Sequence, residues 1–435
     1  MRTVYSALLL VATPLIIARL IWRGLRQRGY WHHWRERFGS FSQAPLRQCI
    51  WLHAVSVGEM RAAQPLITRL ALRYPGMPIL VSCMTPTGRE TAHALYGDSV
   101  QCIYLPYDFF RLQCRLIRHF NPAVLLIMET EIWPNLLAAC WQNDVPALLL
   151  NARMSEKSQR GYARFSLVRQ LAGEALRSLR AVAVQSTADA GRFIDLGATN
   201  VVVTGNIKFD QSIDPQVRAL GQEWRSQLPP DVKVLLAAST RDGEEMLLLD
   251  AYCRAISAEE RHHFLLVIVP RHPQRFDAVE ALIRARVLAT GRRSRDALSG
   301  KIFDVWLGDS MGEVAAYVAM CDVAFIGGSL LPVGGQNLIE ACAQGKPVIM
   351  GPSTFNFAEA ARLAIKAGAL QQVADADGVM AAAKTLLGND HARAAMSVAA
   401  LNFAQTHAGA TERTLALIAP VIAPVLAPAL ASPAG

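Results

Sequence analysis

Short apolar runs separated by stretches of helical periodicity set the frame of this chain. The runs lie at residues 50–55, 78–84, 101–105, 123–128, 147–150, 181–185 and 201–204, and again at 232–238, 264–269, 302–307, 323–326 and 348–350. They are apolar on both faces rather than alternating, as a parallel strand covered by helices requires. Residues 61–72 and 134–141 carry the helical pattern between them. The pattern predicts two α/β halves, each a doubly wound parallel sheet, facing across a cleft, with ligands at the carboxyl edges of the strands. Residues 211–230 are more polar and end in Pro229-Pro230, which predicts a linker. The expected plan is an anchor at 1–30, a first domain at 31–210, the linker, a second domain at 231–418 whose last helix packs back on the first, and an Ala/Pro-rich, partly disordered tail at 419–435.

The amino terminus departs from this pattern. Residues 3–18 carry no charge and are mostly Leu, Ile, Val and Ala. As a helix they cover about 24 Å, a little short of a hydrocarbon core of roughly 30 Å. Ile21 and Trp22 extend the segment if Arg19 snorkels, and Pro14 is a potential kink. A signal peptide would place its charge before the apolar run and close on small residues. Here Arg19, Arg23, Arg26, Arg28, Arg35 and Arg37, set against Glu36, all follow it. The pattern predicts a membrane-anchor helix whose basic flank stays on the cytoplasmic face.

Composition sharpens this reading. With 435 residues and 52% apolar content, two domains with large cores are the natural outcome. More than half of the net charge of +9 sits in the arginine block, which suits an acidic membrane surface; no nucleic-acid motif is present. The eight cysteines form no C-x-x-C pair, which points to a reducing compartment without disulfides or a zinc site.

The candidate chemistry lies in the turns after the apolar runs. The first run ends in Ser56-Val57-Gly58-Glu59. One glycine is too few for the dinucleotide fingerprint, which disfavours a Rossmann dehydrogenase. Glu59 is either a general base at the sheet edge or simply a helix-start acid favoured by the dipole. Met128-Glu129-Thr130-Glu131 ends another run; Glu129 needs a partner if it is buried, and the segment otherwise reads as a helix cap. Lys208 follows the last run of the first half, as a cation for a developing anion or as a solvated linker lysine.

In the second half, the turns at 239–245, 270–273, 308–313, 327–337 and 351–357 are rich in Gly, Ser, Arg and acids. Glycines ahead of a helix expose N–H groups to a phosphate, Arg271 can pair with one, and Glu340 can accept from ribose hydroxyls. Each turn is also an ordinary surface loop. His53, His262, His263 and His272 have no metal-ligand spacing.

Together these turns resemble the Kdo transferases, membrane-associated enzymes that move 3-deoxy-D-manno-oct-2-ulosonic acid (Kdo) from CMP-Kdo to a lipid A precursor. The resemblance spans essentially the whole chain: SVGE at 56–59, METEIWPN at 128–135, GNIKFD at 205–210, PRHP at 270–273, GDSMGE at 308–313, GGSL at 327–330, GGQNLIEA at 334–341 and GPSTFNF at 351–357. It implies a GT-B fold with an amino-terminal anchor and an inverting, metal-independent transfer without a cofactor. Its implied partners are CMP-Kdo as donor, tetraacyl lipid A precursor (lipid IVA) as acceptor, and the bacterial inner membrane at its cytoplasmic face. It also implies that Glu59 is the catalytic base, and that Glu129 and Lys208 support the transition state. CMP would be held by Pro270 and Arg271, by Met311, Gly312 and Glu313, and by Asn337, Leu338, Ile339 and Glu340. Gln336 and Arg241 stand where the family usually carries histidines. The rival readings are a GT-B transferase of another nucleotide sugar and a membrane-tethered sugar-nucleotide sensor without turnover.

Overall fold

The computed structural model describes residues 1–301 and 303–430. Ile302, first residue of the expected run 302–307, and the last five residues of the tail lie outside the described residues. The chain forms two compact units, Met1–Gln211 joined by the residues from Ala408 onward, and Ser212–His407.

The first unit carries β1 (Cys49–His53), β2 (Ile79–Cys83), β3 (Gln101–Tyr104), β4 (Pro122–Met128), β5 (Ala147–Ala152), β6 (Ala181–Val184) and β7 (Val201–Val203). All pair in parallel, in the order β3-β2-β1-β4-β5-β6-β7. The chain doubles back between β1 and β4, which creates a switch point where ligands bind in such sheets. The two-residue period of a strand sorts its core onto two faces. Trp51, Leu125, Ile127 and Leu149 pack on one side. Ile50, Leu52, Leu126 and Leu148 pack on the other, where Ile418 and Ile422 of the last helix, Ala410–Leu430, join them. Part of the tail expected to be disordered is therefore helix, because an apolar stripe at helical spacing finds a sheet face to cover.

The second unit repeats the plan with β8 (Lys233–Thr240), β9 (Phe264–Pro270), β10 (Thr290–Arg292), β11 (Val305–Leu307), β12 (Val323–Ile326), β13 (Val348–Met350) and β14 (Leu370–Gln372). Their order is β10-β11-β9-β8-β12-β13-β14, again parallel, with the switch point between β8 and β12. The edge strands β10 and β14 escape the sequence pattern, being three residues long and polar.

The segment expected to be a linker is largely a helix, Pro215–Ser226, capped by Asp214. Trp224 on it is buried against Trp306 and Tyr317, with ring centroids 5.3 and 4.9 Å away. Gly221 lets it approach closely, since a Cβ there would meet the Ala316 carbonyl oxygen at 2.1 Å. Its polarity is that of the outer face of a packed helix, not of a tether.

Candidate active site

The turn after β1 folds as a reciprocal cap. Ser56 is the N-cap of helix Val57–Ala62, its Oγ accepting from the Glu59 amide at 3.4 Å. The Glu59 side chain turns back: Oε1 accepts from Ser56 Oγ at 2.8 Å, and Oε2 from the Val55 amide at 2.8 Å. This is a variant of the S-x-x-E capping box, the acid reaching the Val55 amide instead of that of Ser56, so the helix begins before Glu59 rather than after it, and breaks at Ala63 before Gln64–Arg73. The bland reading of Glu59 is thus true as far as it goes: it is a helix-start acid. It is also buried, 9% exposed. Burial first, then the charge of Glu129, pushes its carboxyl up to about 7, against the Val55 and Ser56 hydrogen bonds that pull it down. A carboxylate that titrates near neutrality is suited to taking a proton at physiological pH.

Glu129 directly follows β4 and has a left-handed backbone, φ 59°. That conformation is costly in a non-glycine residue and clusters at functional sites. Lys208 Nζ donates to its Oε1 at 2.9 Å, and Arg153 Nε lies 3.5 Å from Oε2. Burial works to raise its carboxyl, but Lys208 and Arg153 overcome that and hold it below the usual range. The two acids are therefore driven apart: Glu129 stays ionised while Glu59 titrates.

Lys208 is held by a folded loop. Asn206 caps the turn Ile207–Asp210 by accepting from the Lys208 amide, and Asn151 Oδ1 accepts from the Ile207 amide at 3.1 Å. Asp210 accepts from the amides of Gly409 and Thr411, which fastens the loop to the start of the last helix. Sequence reasoning missed Ser56, Arg153, Asn151 and Asp210. Ser56 was legible from its spacing to Glu59, and Arg153 from asking what neutralises a buried Glu129. His53, set aside as a metal ligand, is wholly buried at the end of β1; burial pushes it down to about 4, so it is a neutral core imidazole accepting or donating at Ser82.

In the second unit the turns cluster at the β8–β12 switch point. Glu244, fully buried, accepts from the amides of Arg241 (2.8 Å), Gly328 (2.6 Å) and Leu330 (2.9 Å), tying the loop after β8 to the loop after β12. Pro270 closes β9, and the Arg271 amide donates to Thr240 O at 3.0 Å. His272 is pushed below its ordinary value by burial and then by Arg241, Arg271 and Arg275. That shift marks a concentration of guanidinium charge at this edge, although Arg275 also pairs with Asp242 and Glu245. Met311 is exposed, Gly312 has φ 84°, and Glu313 pairs with Arg293 at 3.3 Å.

The glycine turn differs from the expected phosphate cradle. The amides of Gly334, Gly335 and Gln336 donate to Ser353 Oγ, Gly328 O and Gln336's neighbour across the turn, Gly327 O, respectively. The helix that follows, Ile339–Ala343, is only five residues long, too short for a substantial dipole. Leu338 and Ile339 are buried in the core, and Asn337 Oδ1 accepts from the Ile339 amide. The glycines shape the loop, and their amides are spent within it rather than offered to a phosphate. Glu340 lies in the first turn of that short helix.

Comparison with known proteins adds the following. Residues 32–211 match the family model described as 3-deoxy-D-manno-octulosonic-acid transferase (kdotransferase). The chain is 41% identical over 429 residues to the 3-deoxy-D-manno-octulosonic acid transferase of Bordetella pertussis, covering 95% of this chain and 98% of that one. It is 34% identical to the transferase of the same name from Haemophilus influenzae, covering 96% and 98%. Among solved structures it is similar to a UDP-GlcNAc 2-epimerase from Neisseria meningitidis (TM-score 0.60, 14% identity, 86% of this chain and 100% of that one). A glycosyltransferase from Rickettsia africae is similar too (TM-score 0.57, 14% identity, 86% and 99%). These structures share the fold of two doubly wound units.

Proposed function

The chain belongs to the 3-deoxy-D-manno-octulosonic acid transferase family, and on that premise we propose that it moves Kdo from CMP-Kdo to the sugar of a tetraacyl lipid A precursor at the cytoplasmic face of the inner membrane. Glu59 takes the proton from the acceptor hydroxyl. The hydroxyl oxygen forms its bond to the anomeric carbon as the bond from that carbon to the CMP oxygen breaks, with inversion. The electron pair leaves on the CMP phosphate. Arg271 supplies charge to it, and Pro270, Met311, Gly312, Glu313 and the stretch Asn337, Leu338, Ile339 and Glu340 hold the nucleotide. Neither a metal nor a further cofactor enters these steps. Glu129, kept ionised by Lys208 and Arg153, supports the positive charge that builds at the anomeric carbon.

The observation that carries the reading is the pair of acids at one switch point: Glu59 pushed up to about 7 beside an ionised Glu129. The direct test is mass spectrometry of lipid A precursor incubated with the protein and CMP-Kdo, with UDP-sugars in parallel. Kdo added from CMP-Kdo alone is expected. Transfer from a UDP-sugar instead, or donor binding without product, overturns the proposal.

The acid pair also has a pH signature. Glu129 helps to raise Glu59, so Glu129→Gln is expected to let Glu59 ionise at lower pH. The acid limb of kcat/KM should then move down the pH scale, even though the maximum falls, because that limb reports the base in the free enzyme. A limb that stays in place, or moves up, would separate the two carboxylates.

A further inference from the structure

The amino-terminal helix Arg2–Arg26 is long and apolar enough to cross a bilayer, yet it is docked at both ends on the first unit. In its first turns Tyr5 Oη donates to Asp108 Oδ2 at 3.0 Å, Ser6 Oγ donates to Asn135 Oδ1 at 3.2 Å, and the Arg2 guanidinium lies 4.7 Å from the Phe110 ring centroid. Asp108 in turn accepts from the Asn135 and Leu136 amides at the start of helix Pro134–Gln142. In the last turns Leu20 and Gly24 are buried, and Gly24 lies so close under Trp31 that a Cβ would meet its ring at 2.4 Å. Between these ends Leu9 and Ile16 are half-buried, so Tyr5, Leu9, Ile16, Leu20 and Gly24 form one stripe at helical spacing.

The opposite stripe is bare and apolar. Leu8, Val11, Leu15, Trp22 and Leu25 are 60, 79, 75, 51 and 76% exposed. Exposed cations stand at Arg19 and Arg26 on the helix and at Arg28 and Arg35 just after it, where Trp31 and Trp34 are also exposed. Arg37, counted with this block in the sequence, is instead buried and donates to Met84 O.

A helix of 25 residues is about 37 Å long. If it crossed the bilayer, the unit bound along it would enter the hydrocarbon too, with its loops and charged groups, which lipid does not tolerate. We propose that this helix does not span: it lies in the plane of one leaflet, its bare stripe among the acyl chains, its arginines and tryptophans at an anionic headgroup layer, and both its ends on the cytoplasmic side. This rests on the membrane association proposed above and fixes its geometry.

The test uses Thr3→Cys in the full chain, probed in bacterial spheroplasts with a membrane-impermeant maleimide. Val287→Cys, on the second unit and 91% exposed, reports the cytoplasmic face. Both cysteines are expected to stay unlabelled from outside and to react in inside-out vesicles. Labelling of Thr3→Cys from outside means a spanning helix and overturns the proposal. A chain found only in the soluble fraction overturns the membrane reading itself. Leu15→Asp separates a bilayer from a second copy of the chain as the occupant. It is expected to weaken binding to phosphatidylethanolamine–phosphatidylglycerol vesicles by roughly tenfold or more, with unchanged mass in solution. Halved mass with unchanged vesicle binding would assign the stripe to a dimer.

Discussion

Glu59→Gln is expected to lower Kdo transfer by about 10²–10⁴-fold, the usual worth of a positioned base, while making the protein more stable at pH 8. The two effects share one cause. The folded protein holds the Glu59 proton up to about 7, against an ordinary 4.5. An acid raised in this way favours the fold most below its unfolded value. The advantage is lost as pH rises through the folded value, and above it the buried charge costs roughly 3 kcal/mol. Glutamine never ionises, so it escapes that cost. It keeps one acceptor oxygen for the capping box, and losing the second of the two bonds costs about 1 kcal/mol. The variant should therefore unfold at higher temperature than the parent at pH 8 and at lower temperature at pH 4. The crossing distinguishes a catalytic acid held in an unfavourable state from a residue that only caps. Turnover within tenfold of the parent, or lower stability at both pH values, would remove Glu59 as the base.

On the proposed role of Glu59, that trade explains why one residue can serve as both cap and base. Ser56 and the Val55 amide orient the carboxylate, but they also lower its affinity for a proton. Burial and Glu129 restore it. Glu129 can play this part only if it remains charged, and Lys208 with Arg153 see to that. Lys208 is thus engaged with Glu129 at 2.9 Å.

The doubly wound parallel plan of each half, and the placement of Glu59 and Glu129 on turns after apolar strands, was legible because central strands of a parallel sheet are apolar throughout; the strand order that brings the two turns to one switch point was not. The apolar edge strands β3 and β7 were legible too, whereas the short, polar edge strands β10 and β14 went unseen. The linker was misread because helix Pro215–Ser226 buries little besides Trp224 and Gly221, too few apolar positions to stand out. The glycine turn at 334–337 was read as donating its amides to a phosphate. No sequence pattern shows that Ser353, Gly328 and Gly327 already accept from them. Partners distant in sequence, such as Arg153 for Glu129 or Gly409 for Asp210, emerge only once the chain is folded.

Glu244 is the largest such omission, and Glu244→Ala carries the second large expected effect. Its carboxylate is wholly inaccessible and takes three backbone amides, one from the loop after β8 and two from the loop after β12. Alanine removes the acceptor from all three donors, of which the Gly328 amide is buried and the Arg241 and Leu330 amides part-buried, at about 1–3 kcal/mol each. A loss of roughly 5 kcal/mol in a unit of this size lowers Tm by roughly 10 °C. Function should fail before the fold does. The strand-end loop that carries Arg241 also positions Arg271, whose amide is bonded to Thr240 O, so loosening it disperses the guanidinium cluster. CMP affinity measured by calorimetry well below the new Tm is expected to drop at least about tenfold, an energy equal to one lost charge-assisted hydrogen bond. Glu244→Gln, which keeps an acceptor oxygen, should recover part of both. A variant that melts early yet binds CMP as the parent does would show that the clamp serves the fold alone, and the glycine turn would then owe its shape to contacts such as Ser353 Oγ accepting from the Gly334 amide.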